Sequence, residues 1–353
     1  MVESLQAIWY RAAPPPRPLR LLAALFGLLV RARTAAYARG WLRVRRLPCP
    51  VIVVGNLTVG GSGKTPLVIW LAARLRAAGF TPGVILRGHG GTAARGGTPR
   101  RVQADSDAAV VGDEALVLCQ RTGVPVAVCR SRWSAGRLLA QEGVDVIVAD
   151  DGLQHLALAR EAEIAVIDGE RGLGNGYLLP AGPLREPPER FGRVDILVVN
   201  GDGRYRAGIA AGPLLRSAAP AAKALAGSFT MRLEGERLMA LAGPATRALS
   251  SLAGQRVHAV AGIGHPQRFF TQLRAAGLEP IEHPFPDHHR FRAGEIVFDD
   301  ELPVLMTEKD AVKCRALGGP NHWYLPVTAS FSEAEAAELF GRLRRTVTSR
   351  HRS

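Results

Sequence analysis

The stretch Gly55–Thr65, GNLTVGGSGKT, follows the β-branched run Val51–Val54 and precedes a helical pattern, Pro66 to Ala78, with apolar Leu67, Ile69, Trp70, Leu71 and Leu75. A buried strand, a glycine-rich turn and a helix in that order build a cradle for a phosphate chain. Glycines let successive N–H groups turn inward around phosphate oxygens, and the helix N-terminus adds its positive dipole. The nucleotide-holding loop is therefore read as Thr58, Val59, Gly60, Gly61, Ser62, Gly63, Lys64 and Thr65. Lys64 supplies a charge for the β and γ phosphates, Thr65 a hydroxyl for Mg2+, and Pro66 suits a first helical turn. The usual pattern has a glycine five residues before Gly63, where this chain has Thr58, and the pair Gly60–Gly61 stands in for that freedom. The alternative is a glycine-rich turn with no ligand. Val59 stands where partitioning and metal-handling ATPases of related pattern carry a second lysine, which argues against that group.

With 353 residues and 47% hydrophobic content, the chain is long enough for two ordinary cores or one large one, and it is not a disordered tail. A net charge of +14 suits nucleic acid, an anionic membrane or a phosphorylated substrate, so its location decides. Much of it is N-terminal: residues 1–50 hold nine arginines (11, 17, 20, 31, 33, 39, 43, 45 and 46) against the single acid Glu3. They surround an apolar segment, Leu19 to Val30, which is shorter than the ~20 residues a spanning helix needs. A basic helix lying in the headgroup region suits this pattern, with Trp9, Tyr10, Phe26, Tyr37 and Trp41 as interfacial side chains; a helix packed on the domain is the alternative. An anionic membrane surface is the expected partner, with neither nucleic acid nor an obligate protein partner inferred. Cys49, Cys119, Cys129 and Cys314 show no CxxC spacing, so neither a disulfide framework nor a zinc site is indicated.

From residue 51 to about 200, apolar runs near Val51, Gly83, Val124, Val144, Ile164 and Ile196 alternate with helical segments near Lys64, Glu114 and Trp133. This is a doubly wound α/β pattern, whose ligands bind beyond the carboxyl ends of the strands. Residues 201–225 read as a linker rich in Gly, Ala and Pro, and a second α/β series follows, with strands at Val257–Ile263, Pro280–His283 and Val304–Thr307 and helices at Pro266–Ala276 and Ser332–Arg345. The expected division is an N-terminal membrane-associating segment at 1–46, a P-loop core at 47–225 and a smaller lobe at 226–353, with a cleft between the lobes.

Several polar groups lie where such a cleft would be. Val144–Asp151 is an apolar strand ending in Asp150 and Asp151, which suits acids beside Mg2+ or, alternatively, a solvated turn. Gln154 and His155 extend the same edge. Asp113 and Glu114 open a helical run, either as functional acids or as an N-cap and a first-turn acid. Arg132 follows the strand Val124–Cys129 and could reach an anionic oxygen. Phe285–His289, FPDHH, offers a histidine beside acids as acid, base or orienter, and metal binding by His283, His288 and His289 is a further possibility.

The order of GNLTVGGSGKT, VGDE, VADDGLQH, LLPAGPLREP, GIGHPQRF, FPDHH and MTEKDAVK resembles the tetraacyldisaccharide 4'-kinase family of lipid A biosynthesis, over residues 5 to 330. The resemblance implies a P-loop NTPase-like doubly wound sheet with a second α/β lobe. It also implies phosphorylation of the 4'-hydroxyl of a tetraacylated glucosamine disaccharide 1-phosphate, the lipid A disaccharide precursor, with ATP and Mg2+, peripherally at the cytoplasmic face of the bacterial inner membrane. Asp113 would be the base for the sugar hydroxyl, assisted by His288. Thr65, Glu114, Asp150 and Asp151 would lie on the Mg2+ side, with Lys64 near the β and γ phosphates. Arg132, Gln154 and Arg185 would clamp phosphate or substrate. Burial is expected to raise the pKa of Asp113, and His288 is expected to reach it only when the lobes close.

Two positions depart from that family. Leu86 stands where a serine is usual, and His89 where an aromatic Tyr commonly stacks on the adenine or lines the nucleotide cleft. The competing readings are a membrane-cycling nucleotide switch and a non-enzymatic scaffold. MTEKD superficially resembles a guanine-reading NKxD, but its spacing fails.

Overall fold

Val51–Gly55 (β1) is buried at every position, as a strand covered on both faces must be, and its neighbours on either side run parallel to it. The computed structural model describes residues 5–11, 13–201 and 227–351. Around β1 grow Pro82–Leu86 (β2), Arg100–Arg101 (β3), Val126–Val128 (β4), Val146–Ala149 (β5), Ala162–Asp168 (β6), Ile196–Asn200 (β7) and Phe229–Glu234 (β8). With Thr328–Ser330 (β15) they form a nine-stranded sheet in the order β15-β8-β7-β6-β1-β5-β2-β4-β3. The strands from β8 to β4 are parallel, and only the edges β3 and β15 run antiparallel. The doubly wound expectation holds. β1 occupies the middle, so the loop at its carboxyl end opens where the chain winds off to either side.

The helix Lys64–Ala77 covers one face, burying Leu67, Val68, Ile69, Trp70, Leu71, Ala72 and Leu75 in the same core as helices Asp113–Thr122 and Glu333–His351. Val68 and Ile69 are indifferent helix formers. Each costs a few tenths of a kcal/mol in propensity against ~1.5–3 kcal/mol from full burial, so packing decides. The other face carries helix Arg132–Gln141, which buries Ala135 and Leu139 in a core with Leu47, Ile147, Leu153 and Phe191.

A second sheet, β10-β9-β14-β13-β11-β12, is built from Arg237–Ala240 (β9), Thr246–Ala248 (β10), Arg256–Ala261 (β11), Glu279–Pro284 (β12), Val304–Thr307 (β13) and His322–Leu325 (β14). Helix Pro266–Ala275 packs Phe269, Phe270 and Leu273 on one face, and Phe291, Ile296 and Cys314 close the other. The division at 225/226 is where the structure departs from the expected domain map. Residues 229–234 and 328–351 belong to the first sheet: β8 pairs with β7, and the C-terminal helix buries Ala336, Leu339, Leu343 and Val347 in the first core. The alternation that marks β8 as a strand says nothing about which sheet it joins. Most of the expected linker, from residue 202 to 225, lies outside the described residues.

The N-terminal apolar segment belongs to a 22-residue helix, Arg17–Ala38, long and apolar enough to cross a membrane by length and composition. It is therefore longer than the Leu19–Val30 run suggested, because Arg31–Ala38 continues the same helix. Ala23 and Gly27 are its buried positions, and a Cβ at Gly27 would lie 2.7 Å from Leu178 Cδ1. That close approach fastens the helix to the body. Leu21, Leu22, Leu25, Leu28 and Leu29 recur at helical spacing on the opposite face, each more than half exposed.

Candidate active site

Gly63 caps helix Lys64–Ala77 in a left-handed conformation, with φ at 91°, and a Cβ there would lie 2.4 Å from Asn200 Nδ2. Asn200, at the carboxyl end of β7, donates through Nδ2 to the Ser62 carbonyl at 2.9 Å and so holds the loop open from below. Val59 N donates to the Pro183 carbonyl and Arg185 N to the Leu57 carbonyl, while Thr58 bridges to Leu184. Thr58 is thus buried against LLPAGPLREP and the amide of Val59 is spent. The free cradle starts at Gly60, two residues later than the Thr58 of the sequence pattern.

Lys64 Nζ lies 3.5 Å from Asp151 Oδ1, and Arg185 Nη1 reaches Asp151 Oδ2 at 3.0 Å. Asp151 has φ of 46°, an orientation that turns its carboxylate back toward the loop. Burial would raise its pKa, but Lys64 and Arg185 outweigh burial and hold the carboxyl well below the usual range. Asp150 is fully enclosed. Burial first, then the charge of Glu114, pushes it up to about 7. Its Oδ1 accepts from Asp151 N at 2.8 Å, and its Oδ2 is buried with no partner. A fully buried acid with an orphaned oxygen and further acids close by is a donor set that fits Mg2+, a hard ion that takes carboxylate oxygens. Among the described residues, only Asp168, Glu170 and His265 bring three ligand atoms within 4.8 Å of one another, on the far side of the loop.

The expected clamps take specific places. Arg132 is buried and spends Nη2 on the carbonyls of Asp150 and Asp151, at 3.0 and 2.6 Å, so it braces the strand end from behind. Gln154 Nε2 donates to Asn56 O and to Glu186 Oε1, while its Oε1 accepts from Arg185.

Asp113 begins helix Asp113–Thr122, and Gly112 is the capping residue, so Asp113 is not the N-cap. It is nearly fully buried and lies 3.0 Å (Oδ2) and 3.2 Å (Oδ1) from His288 Nδ1. The contact expected on lobe closure is present. The expected rise in the Asp113 pKa is not: burial does push it up, but the His288 hydrogen bond and the charges of Lys309 and Lys313 carry it far below the ordinary value. The same bond raises the His288 pKa. The three histidines weighed as metal ligands face three different partners: His288 faces Asp113, His289 Nε2 faces Glu295 at 3.1 Å, and His283 Nε2 faces His258 at 2.9 Å.

Sequence reasoning missed Lys309 and Asn200. Lys309 Nζ sits 3.0 Å from Glu114 Oε1 and holds the Glu114 pKa down. The signal was present in MTEKDAVK, where Lys309 and Lys313 fall one helical turn apart on helix Glu308–Cys314 and both face the acids of VGDE. His89 also differs from expectation. Its ring centroid lies 5.0 Å from that of His288, at the reacting end, while the apolar end of the cleft is lined by Ile69, Leu233, Phe269 and Leu325.

Two cavities meet here. One of about 480 Å³ lies between the lobes and is lined by Val59–Pro66, His265, Arg268, His288 and Lys309. The other, of about 400 Å³, is lined by Arg33, Arg87, Arg132, Gln154 and His155. His89, Glu114, Asp151 and Arg185 border both. The profile of the tetraacyldisaccharide-1-P 4'-kinase family matches residues 16–345. The chain belongs to that family. A tetraacyldisaccharide 4'-kinase from Alkalilimnicola ehrlichii is 49% identical over 350 residues, covering 98% of both chains. One from Xanthomonas campestris pv. campestris is 47% identical over 344 residues, covering 97% of this chain and 96% of its own. The crystal structure of LpxK from Aquifex aeolicus in complex with ATP superposes with a TM-score of 0.71 at 27% identity, covering 92% of this chain and 97% of that one. Family membership joins the seven motifs, including the two, LLPAGPLREP and GIGHPQRF, whose backbones lie against the phosphate loop and brace it.

Proposed function

We infer that the protein transfers the γ-phosphoryl group of ATP, with Mg2+, to the 4'-hydroxyl of a tetraacylated glucosamine disaccharide 1-phosphate in lipid A biosynthesis. The observation that carries this reading is the junction of two cavities at Glu114 and Asp151, one against the phosphate loop and one open to the N-terminal helix. A nucleotide switch needs the first cavity only. Purified protein given Mg-ATP should release ADP in proportion to added acceptor lipid; acceptor-independent release of ADP would favour the switch.

The loop Gly60–Thr65 and Lys64 hold the triphosphate, and the base lies toward Ile69, Leu233 and Leu325. Thr65, Glu114, Asp150 and Asp151 would hold Mg2+, which would supply neutralisation of charge on the phosphoryl oxygens. Arg185 keeps Asp151 turned toward the loop. The Asp113 carboxylate, ionised throughout the neutral range, accepts the proton of the attacking hydroxyl, and His288, whose Nδ1–H donates to that carboxylate, orients it. A protonated His288 depresses the basicity of Asp113 by its charge, so the better base is Asp113 beside neutral His288, which still donates from Nδ1–H. His288 is held protonated by Asp113 to a higher pH than a free histidine. The rate constant kcat is therefore expected to rise with pH through an apparent pKa above about 6.5. His288→Gln is expected to flatten that limb in a pH–rate profile; an unchanged limb would assign it to another group.

We place the protein peripherally at the cytoplasmic face of the bacterial inner membrane. Helix Arg17–Ala38 is fastened along one side by Ala23 and Gly27, while its leucines point away from the body. Arg17, Arg20 and Arg31 flank the leucine stripe on one side and Arg33 on the other, so their stems can snorkel to headgroups. Each fully buried leucine is worth ~1.5–3 kcal/mol. Replacing Leu21, Leu25 and Leu28 together by Gln is expected to weaken binding to anionic vesicles at least about tenfold in a sedimentation assay. Binding equal to the unaltered protein would make the stripe irrelevant to docking.

A further inference from the structure

Two loops of the second lobe leave neighbouring strands and are fastened to each other. Residues 262–265 follow β11 and residues 285–289 follow β12, strands that pair in parallel with Ala261 opposite Pro284. Phe285 N donates to the Ala261 carbonyl at 2.9 Å, and a Cβ at Gly264 would lie 3.4 Å from Asp287 Oδ2. Whatever fixes Gly264 therefore also fixes His288, which lies 3.0 Å from Asp113 Oδ2. Gly264 is held from the first lobe. Its turn rests on the phosphate loop so closely that a Cβ would stand 2.9 Å from Gly61 N and 3.2 Å from Gly60 Cα. Arg171 Nη1 donates to the Gly264 carbonyl at 3.0 Å. On the same flank Arg268 Nη2 donates to the Asn200 carbonyl at 3.2 Å.

Arg171 is itself anchored at both ends of its side chain. Its amide and that of Glu170 donate to Asp168 Oδ1, at 3.3 and 2.9 Å, which sets the backbone just past β6. Its guanidinium lies over the ring of Tyr10, with Cζ 4.8 Å from the centroid. Tyr10 ends the short helix Leu5–Tyr10, which is docked by Trp9 Nε1 on the Pro180 carbonyl at 2.9 Å and by Asn175 N on the Trp9 carbonyl at 2.7 Å. Among the described residues Arg171 has no carboxylate partner, and it lines neither cavity. A planar guanidinium spent on a carbonyl of the other lobe and on an aromatic face is a spacer of fixed length. We propose that Arg171 is a positioning residue: braced by Tyr10, it seats the turn at 263–265 on the phosphate loop and thereby sets His288 against Asp113. This rests on the kinase reading above and adds a residue that acts on the reaction without touching nucleotide or acceptor. Because the turn rests on Gly60 and Gly61, one contact aligns the triphosphate cradle with the base that activates the hydroxyl.

The test uses the full chain in neutral detergent micelles with Mg-ATP and the tetraacyl disaccharide 1-phosphate, and measures ATP affinity separately by equilibrium binding. Arg171→Met, which keeps the stem and removes the donor, is expected to lower kcat by about tenfold or more, the factor for a hydrogen bond from a charged group, with ATP affinity nearly unchanged. Arg171→Lys keeps a charged donor and should recover part of the loss. Tyr10→Leu should lower kcat by a few-fold, and Tyr10→Phe, which keeps the ring, by less. In a His288→Gln background Arg171→Met should cost little more, because the side chain it positions is gone. A variant that is merely partly unfolded would lose the same factor in both backgrounds. An equal loss in both backgrounds therefore overturns the proposal. So does a loss confined to ATP affinity, which would make Arg171 a phosphate ligand. No transfer by the unaltered protein would overturn the kinase reading itself.

Discussion

Lys64→Ala is expected to lower phosphoryl transfer by about a thousandfold or more. Lys64 is the only lysine of the phosphate loop, and its Nζ lies 3.5 Å from Asp151, so it sits between the acids and the position of the transferring group. The charge on the γ-phosphoryl oxygens would lose its neutralising partner, and Asp151 would keep only Arg185. Transfer assayed at saturating ATP and acceptor checks this. Activity within a few-fold of the unaltered protein would remove Lys64 from the reacting site, while Lys64→Arg is expected to rescue little, because the wider guanidinium does not fit the space at the loop.

Asp113→Asn should cost about a hundredfold to ten-thousandfold in the chemical step, the range for loss of a general base, with ATP affinity nearly unchanged. Asn keeps an acceptor for His288 and the volume of the site, so the change isolates the carboxylate. Single-turnover transfer and equilibrium ATP binding separate the two terms. A variant that loses ATP binding and transfers normally when ATP is saturating would return Asp113 to a structural role. Some loss of stability is expected as well, since His288, Lys309 and Lys313 would face a neutral group.

The two-lobed α/β fold and the phosphate loop were legible because they rest on local rules. Val51–Val54 reads as a fully buried strand from its β-branched run alone, and Gly63–Lys64–Thr65 needs only the strand before it and the helix after it. What the sequence did not carry is long-range. β15 returns to the first sheet after the whole second lobe to pair with β8, and the pairing of β8 with β7 depends on where a chain of residues goes rather than on their pattern. The sign of the Asp113 pKa shift depended on His288, Lys309 and Lys313, 175 or more positions away in sequence, and burial alone pointed the wrong way. Thr58 looked like part of the cradle because spacing counts residues; its backbone bridge to Leu184 is what takes it out. The acceptor cavity was invisible for the same reason, since Arg33 and Arg87 come together only in the fold.

The destination of one phosphoryl group distinguishes a lipid kinase from a nucleotide hydrolase. Purified protein incubated with Mg2+, γ-labelled ATP and the tetraacyl disaccharide 1-phosphate is predicted to place the label on the 4'-oxygen of the lipid, in amounts equal to the ADP released. Label recovered only as free inorganic phosphate, or on any other oxygen of the acceptor, would contradict it.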